Sequence, residues 1–215
     1  MAEQPTRRHL ARTAIAAALA AGALVASQSA ATAAPGPRAV TTSGSSLQTG
    51  PVNLYNQWTG RCADLPNYGS NPPNTLVSQF DCVFAGWDNQ QYTIVPTRTV
   101  DGPFGPLHLV EFVNIASNQC LDLPGYGSVP ATTQVSIYPC AGDPSQDNQE
   151  WYVNDTGSGN DEIINYKDNL CLDVAGWASD NSDQGNGKQL TVYPCYSQGW
   201  GNGGYDDHLW NLRSS

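Results

Sequence analysis

Three aspartates stand two residues after a cysteine in three separate parts of the chain: Asp64 after Cys62, Asp122 after Cys120 and Asp173 after Cys171. Side chains of these types support several chemistries. Two carboxyls facing each other across a cleft can hydrolyse a glycosidic bond. Cysteines and histidines at short spacing can hold zinc. A carboxylate can also act without any reaction, by accepting hydrogen bonds from two neighbouring hydroxyls. The surroundings discriminate among these. No Cys-x-x-Cys pair occurs, and beyond the N-terminal region only His108 and His208 offer imidazole nitrogens, so neither a metal nor another cofactor is expected. Neither histidine lies in a nucleophile motif, which argues against serine or cysteine hydrolysis.

The elements that carry these aspartates repeat. Asn56, Asn114 and Asn165 each lie six residues before the cysteine, and Tyr68, Tyr126 and Trp177 each lie six after it. A second half follows in every copy: Val77–Cys82, Val135–Cys140 and Leu190–Cys195, with Phe80, Tyr138 or Tyr193 two residues before the cysteine. Each copy then closes on a polar pair and an aromatic run: Asn89-Gln90-Gln91-Tyr92, Asn148-Gln149-Glu150-Trp151 and Asp207-His208-Leu209-Trp210. Short alternating runs bounded by Gly, Pro and Asn read as strands. A fixed order repeated three times marks an internally repeated architecture, with units at about 52–95, 110–153 and 162–212. The stretches Pro96–Glu111 and Ala178–Lys188 read as extended loops. Six cysteines allow fifteen connectivities. Self-similarity favours Cys62–Cys82, Cys120–Cys140 and Cys171–Cys195, each bridge contributing roughly 3 kcal/mol in the chain-entropy account.

The chain has 215 residues and a formal charge of −10. Arg7, Arg8 and Arg12 precede an Ala-rich apolar run that ends at Ala31-Thr32-Ala33, the pattern of an export signal over residues 1–33. The run is too short and too Ala-rich for a good membrane span. Residues 34–51, rich in Pro, Gly, Ser and Thr, read as a flexible leader, and 52–215 as one folded domain. An even cysteine count behind such a signal points to disulfides and a secreted, extracellular protein. The acidic balance argues against nucleic acid or anionic membrane as a partner, since both demand cationic patches. A neutral partner fits, and the chain is expected to be a monomer.

The Cys-x-Asp step and the aromatic before the second cysteine, in three ordered copies, and the Gln-x-Trp closure, complete in the second copy, resemble the ricin B-type β-trefoil lectins and related carbohydrate-binding modules. The resemblance covers nearly all of Val52–Leu212. It implies an all-β trefoil: a six-stranded barrel capped by three hairpins, with pseudo-threefold symmetry and one shallow sugar site per lobe. It places the binding residues at Asp64, Ser78, Phe80, Asn89 and Gln90 in the first lobe. In the second they are Asp122, Ser136, Tyr138, Asn148 and Gln149, and in the third Asp173, Thr191, Tyr193, Asp207 and His208. The third lobe departs from the family pattern, with Asp207 for Asn and His208 for Gln; the first closes on Tyr92 rather than Trp.

Such a set suits a sugar. An aromatic ring covers the C–H face of a pyranose while its hydroxyl rim stays wet. A carboxylate accepts from two hydroxyls, and an amide both donates and accepts. The resemblance therefore implies a non-enzymatic lectin for neutral, galactose- or xylose-containing glycans. A small glycoside hydrolase and a trefoil inhibitor without sugar binding are the competing readings. Asn154-Asp155-Thr156 forms a glycosylation sequon.

Overall fold

The structure, a computed structural model, describes residues 50–156, 160–176, 178–195 and 207–214. The signal at 1–33, the leader up to residue 49 and Trp177 lie outside the described residues.

Alternating apolar residues build the walls of a barrel. Six strands close a ring: β1 (Val52–Asn56), β5 (Gln91–Gly102), β6 (Gly105–Asn114), β9 (Trp151–Asp155), β10 (Asp161–Asn165) and β13 (Leu209–Ser214). Each pairs antiparallel with the next, and β13 returns to β1 through Val52↔Ser214 to Asn56↔Trp210. Closure leaves no free edge on the barrel itself. Three hairpins cap it. They are β2 (Cys62–Asp64) with β4 (Ser78–Phe80), β7 (Gln119–Asp122) with β8 (Ser136–Tyr138), and β11 (Cys171–Val174) with β12 (Leu190–Tyr193). A two-residue strand β3 (Thr75–Leu76) pairs with β8, and bridges Ser78↔Gln189 and Gln134↔Thr191 tie the hairpins together. The fold is an all-β trefoil.

Equivalent residues of the three units meet in one core. Leu54, Ile94, Val110, Phe112, Trp151, Ile163 and Trp210 come from the barrel, and Leu65, Val77, Leu123, Val135, Val174 and Leu190 from the caps. The closing tryptophans join the two layers: Trp151 Nε1 donates to Leu121 O at 3.2 Å, and Trp210 Nε1 to Leu172 O at 3.0 Å. Disulfides link Cys62 to Cys82, Cys120 to Cys140 and Cys171 to Cys195, each inside one unit.

The asparagine that opens each unit fastens it to its neighbour. Asn114 Nδ2 donates to Asn89 O, Asn165 Nδ2 to Asn148 O and Asn56 Nδ2 to Asp207 O, all at 2.6 Å. The same side chains cap their own turns, accepting from Thr59 N, Ser117 N and Lys167 N. These turns end in left-handed residues, Gly60 (φ 70°), Asn118 (φ 50°) and Asn169 (φ 56°), the types that adopt that conformation most cheaply.

One sequence expectation changes, and a second gains detail. Pro96–Glu111 is not a loop: β5 and β6 run on as a long hairpin that turns between Gly102 and Gly105. A register shift between Pro96 and Thr99 accommodates the proline, which cannot donate to a ladder. Ala178–Lys188 does lack strands, but it is docked. Gln79, fully buried, donates from Nε2 to Asp183 O and Gly185 O at 2.8 and 2.9 Å and accepts from Thr59 Oγ1 at 2.6 Å. The third lobe's loop is thereby bound to the first lobe. The loop leaves the hairpin at Gly176, where a Cβ would collide with the backbone of Ser182 and Asp183. The sequon asparagine is unsuited to a glycan: Asn154 is buried in β9, and its Nδ2 donates to Glu162 Oε2 at 2.8 Å.

Candidate functional site

Register puts the candidate residues of a lobe on one face. In the second lobe Asp122 lies opposite Ser136, and Tyr138 stands two residues further along the same strand. Side chains two apart share a face, so acid, hydroxyl and ring are brought together. The closing segment completes the group. Gln149 Nε2 donates to Asp122 Oδ1 at 3.0 Å and to Pro139 O at 3.2 Å, while Gln149 Oε1 accepts from Ala141 N at 2.8 Å. Gln149 is fully buried, with both ends of its amide bound to protein. Asn148 Nδ2 donates to Gly127 O at 3.2 Å, fixing the turn that carries Tyr126. The ring of Tyr138 is 40 % exposed, beside an aspartate that is only 5 % exposed.

The first lobe reproduces this arrangement. Asp64 lies opposite Ser78, with Phe80 two residues on. Gln90 Nε2 donates to Asp64 Oδ1 at 3.0 Å and to Asp81 O at 3.1 Å, and Gln90 Oε1 accepts from Val83 N. Asn89 Nδ2 donates to Asn67 O and Gly69 O, the residues that flank Tyr68. Asn89 Oδ1 and Asn148 Oδ1 are buried without a protein partner in both lobes.

The third lobe is built differently. Thr191 Oγ1 donates to Asp173 Oδ2 at 2.6 Å. His208, in place of the glutamine, sets Nε2 at 3.3 Å from Asp173 Oδ1 and Nδ1 at 3.6 Å from Asp207 Oδ1. Its ring lies 6.1 Å from that of Tyr193. Asp173, Asp207 and His208 together present ligand-type atoms within 4.8 Å of one another. The two acids flank the imidazole on opposite nitrogens.

Burial sets the electrostatics. Desolvation pushes the Asp122 carboxyl up to about 6; Gln149 opposes this, Asp147 adds to it, and the Ser136 hydroxyl opposes it again. Desolvation likewise raises Asp64 to about 6, against the Gln90 amide and with a further upward push from Asp88. Asp207 rises well above the carboxylate range through desolvation and then the charge of Asp173, against the pull of His208.

Sequence reasoning overlooked several residues. Trp87 and Phe84 are 62 % and 49 % exposed, and Trp87 lies with its ring centroid 5.4 Å from that of Tyr68. Two large aromatics in a polar turn just before the closure were the available signal. Glu150 is also absent from the sequence-derived set. It accepts from Arg98 Nε and Nη2 and from Thr97 Oγ1, anchoring the long β5–β6 hairpin onto the second lobe.

Buried acids are bonded to glutamines beside exposed rings, once in each of two equivalent lobes. Residues 88–193 match the family described as ricin-type β-trefoil lectin domain-like. The match runs from the closure of the first ricin-type lobe to the second strand of the third hairpin. No curated protein matches the sequence.

Solved structures share the fold. ThreeFoil, a designed 3-fold symmetric protein, superposes with a TM-score of 0.58 at 24 % identity over 76 % of this chain and 97 % of its own. The Rhizoctonia solani agglutinin gives 0.55 at 17 % identity over 79 % and 98 %. An exo-β-1,3-galactanase from Clostridium thermocellum gives 0.56 at 20 % identity, over 77 % of this chain but 30 % of its own. No helix among the described residues is long and apolar enough to cross a membrane.

Proposed function

We propose that this chain is a secreted, monomeric lectin that grips neutral glycans, galactose- or xylose-containing polysaccharides among them, at shallow sites in its first and second lobes. The observation that carries the reading is the repeated Asp–Gln pair, Asp64 with Gln90 and Asp122 with Gln149, set beside the half-exposed rings of Phe80 and Tyr138. Keeping a desolvated carboxylate costs stability. A fold that places one at the same spot in two lobes, each aimed by a buried amide, has a polar ligand to meet. Asp64, Phe80 and Asn89, and Asp122, Tyr138 and Asn148, are the residues assigned to the sugar. Gln90 and Gln149 orient the acids. Asp173, Tyr193 and Asp207 form a third, modified lobe in which His208 occupies the amide position.

One shallow site buries few ligand atoms and binds weakly. Two or three on one body gain avidity for a polymer that spans them. No catalytic role is proposed for the acids; each is bound to its own lobe's glutamine or threonine. Export rests on the signal-like segment 1–33 and on the disulfides.

A glycan array probed with the exported chain tests the proposal. Retention on galactose- or xylose-containing glycans should fall in steps in D64A, D122A and the double variant, with no reducing sugar released. Equal retention by the folded double variant would refute the assignment of these acids.

A further inference from the structure

The first and second lobes share an acid, a ring and an amide, yet their surroundings differ in one respect. In the second lobe the position two residues before the asparagine is Gln146, which closes a 3-10 turn (Pro144–Gln146) and donates from Nε2 to Ser145 Oγ. In the first lobe that position is Trp87. Its indole meets Tyr68 at 5.4 Å between centroids with the planes tilted by 57°, and both rings remain largely in solvent, Tyr68 at 73 % and Trp87 at 62 % exposure. Leaving two large rings in water forgoes the burial that normally accompanies such side chains.

The pair is held firmly. Asn89, the amide of the first-lobe site, donates to the carbonyls on either side of Tyr68, at 3.0 Å to Asn67 and 3.3 Å to Gly69. Asn71 Nδ2 donates to Gly69 O as well, Asn71 N donates to Ser117 Oγ, and Gln119 Nε2 donates to Asn71 O. The Tyr68 loop is thereby pinned to the second lobe. Trp87 sits on a turn closed by Asp88 N to Ala85 O and by Asn89 N to Asp88 Oδ1. Rings fixed before a ligand arrives lose little freedom on binding. Phe80 lies on the strand face of Asp64, whereas the Tyr68 loop is tied to Asn89, the neighbour of the Gln90 that bonds the acid.

From this we infer that the first lobe contains a second sugar subsite, the Tyr68–Trp87 platform, and so takes two consecutive units of a glycan chain where the second lobe takes one. The inference rests on the proposed lectin function and deepens it. One unit is held by Asp64, Asn89 and Phe80. The next stacks its C–H face on the exposed platform, with its hydroxyls in water. The first lobe then discriminates chain from monosaccharide, and the second does not.

Calorimetric titration separates the possibilities. The probes are methyl β-xyloside and xylotriose, and methyl β-galactoside and β-linked galactotriose. With the second lobe silenced by D122A, the trisaccharide of the bound sugar should exceed its methyl glycoside by up to about tenfold in affinity, the range open to one stacking contact. Adding W87A, or Y68A in a separate protein, should remove that advantage, and a D64A protein should show none. Circular dichroism reports whether each variant is folded. A D122A protein that binds both lengths equally, or a folded W87A and Y68A pair that keeps the full advantage, overturns the platform alone. Intact protein that binds neither probe series nor xylan nor galactan overturns the lectin reading and the platform with it.

Discussion

Asp64 and Asp122 are held where water is scarce, and desolvation raises both carboxyls to about 6. The charged forms are the ones that accept from sugar hydroxyls. Binding at the first two lobes should therefore weaken as pH falls through about 6 and recover on return to neutrality. Stability runs the other way. Between the ordinary aspartate value and about 6 the folded chain holds more protons than the unfolded one, so stability is greatest at the acid end and declines as pH rises through 6. In D122N the Asn oxygen can still accept from Gln149, and no charge is buried. Thermal melts at pH 7.5 should place D122N roughly 2–4 °C above the parent, the shift that about 1 kcal/mol makes in a domain of this size after allowance for solvent screening. At pH 4 the gain should shrink. A D122N protein that melts lower at pH 7.5 and binds glycan unchanged would mean that Asp122 serves the fold rather than a ligand. The family resemblance implied Asp64, Phe80, Asn89 and their second-lobe counterparts as the residues of a site. The geometry of the bonds from Gln90 to Asp64 and from Gln149 to Asp122, both 3.0 Å, depends on strand register, which spacing alone does not reveal.

Among the elements, the hairpins do the positioning and the opening asparagines set them relative to one another. Asn114 links the closure of the first lobe to the turn of the second, with its amide donating to Asn89 O and its oxygen accepting from Ser117 N. The tie ends on the backbone of Asn89, a residue assigned to the first sugar site. N114A removes a buried amide from both partners. It should lower stability by about 1–3 kcal/mol in urea unfolding and weaken sugar binding in the first lobe more than in the second. An equal loss in both lobes would show that Asn114 contributes only global stability. The long β5–β6 hairpin marks the limit of sequence reading at this scale. Pro96, Gly102, Pro103, Gly105 and Pro106 look like loop punctuation, but the strand pair absorbs them at a bulge and in its terminal turn. The Trp87 turn was missed for a similar reason: turn geometry has no period, so nothing in the chain announces that Trp87 and Tyr68 meet.

The molecule as a whole reads as one design made three times and then modified. Repetition of cysteine, aspartate and closure gave the trefoil its lobes, and the barrel closes because each unit supplies two of its six strands. The modifications distinguish the lobes. The first gains the Tyr68–Trp87 pair. The second stays nearest the family pattern and anchors the β5–β6 hairpin through Glu150. The third replaces the asparagine and glutamine with Asp207 and His208 and sends its 178–188 loop onto Gln79 of the first. Threefold symmetry in the core with divergence at the rim fits a protein whose fold is shared and whose ligand contacts are adjusted lobe by lobe. Chemical-shift mapping on the isotope-labelled protein during titration with a bound oligosaccharide tests the lectin claim most directly. The amides of Asp64, Phe80 and Asn89, together with those of Asp122, Tyr138 and Asn148, should move as two separate clusters. Shifts confined to surfaces away from both clusters, with binding still present, would contradict it.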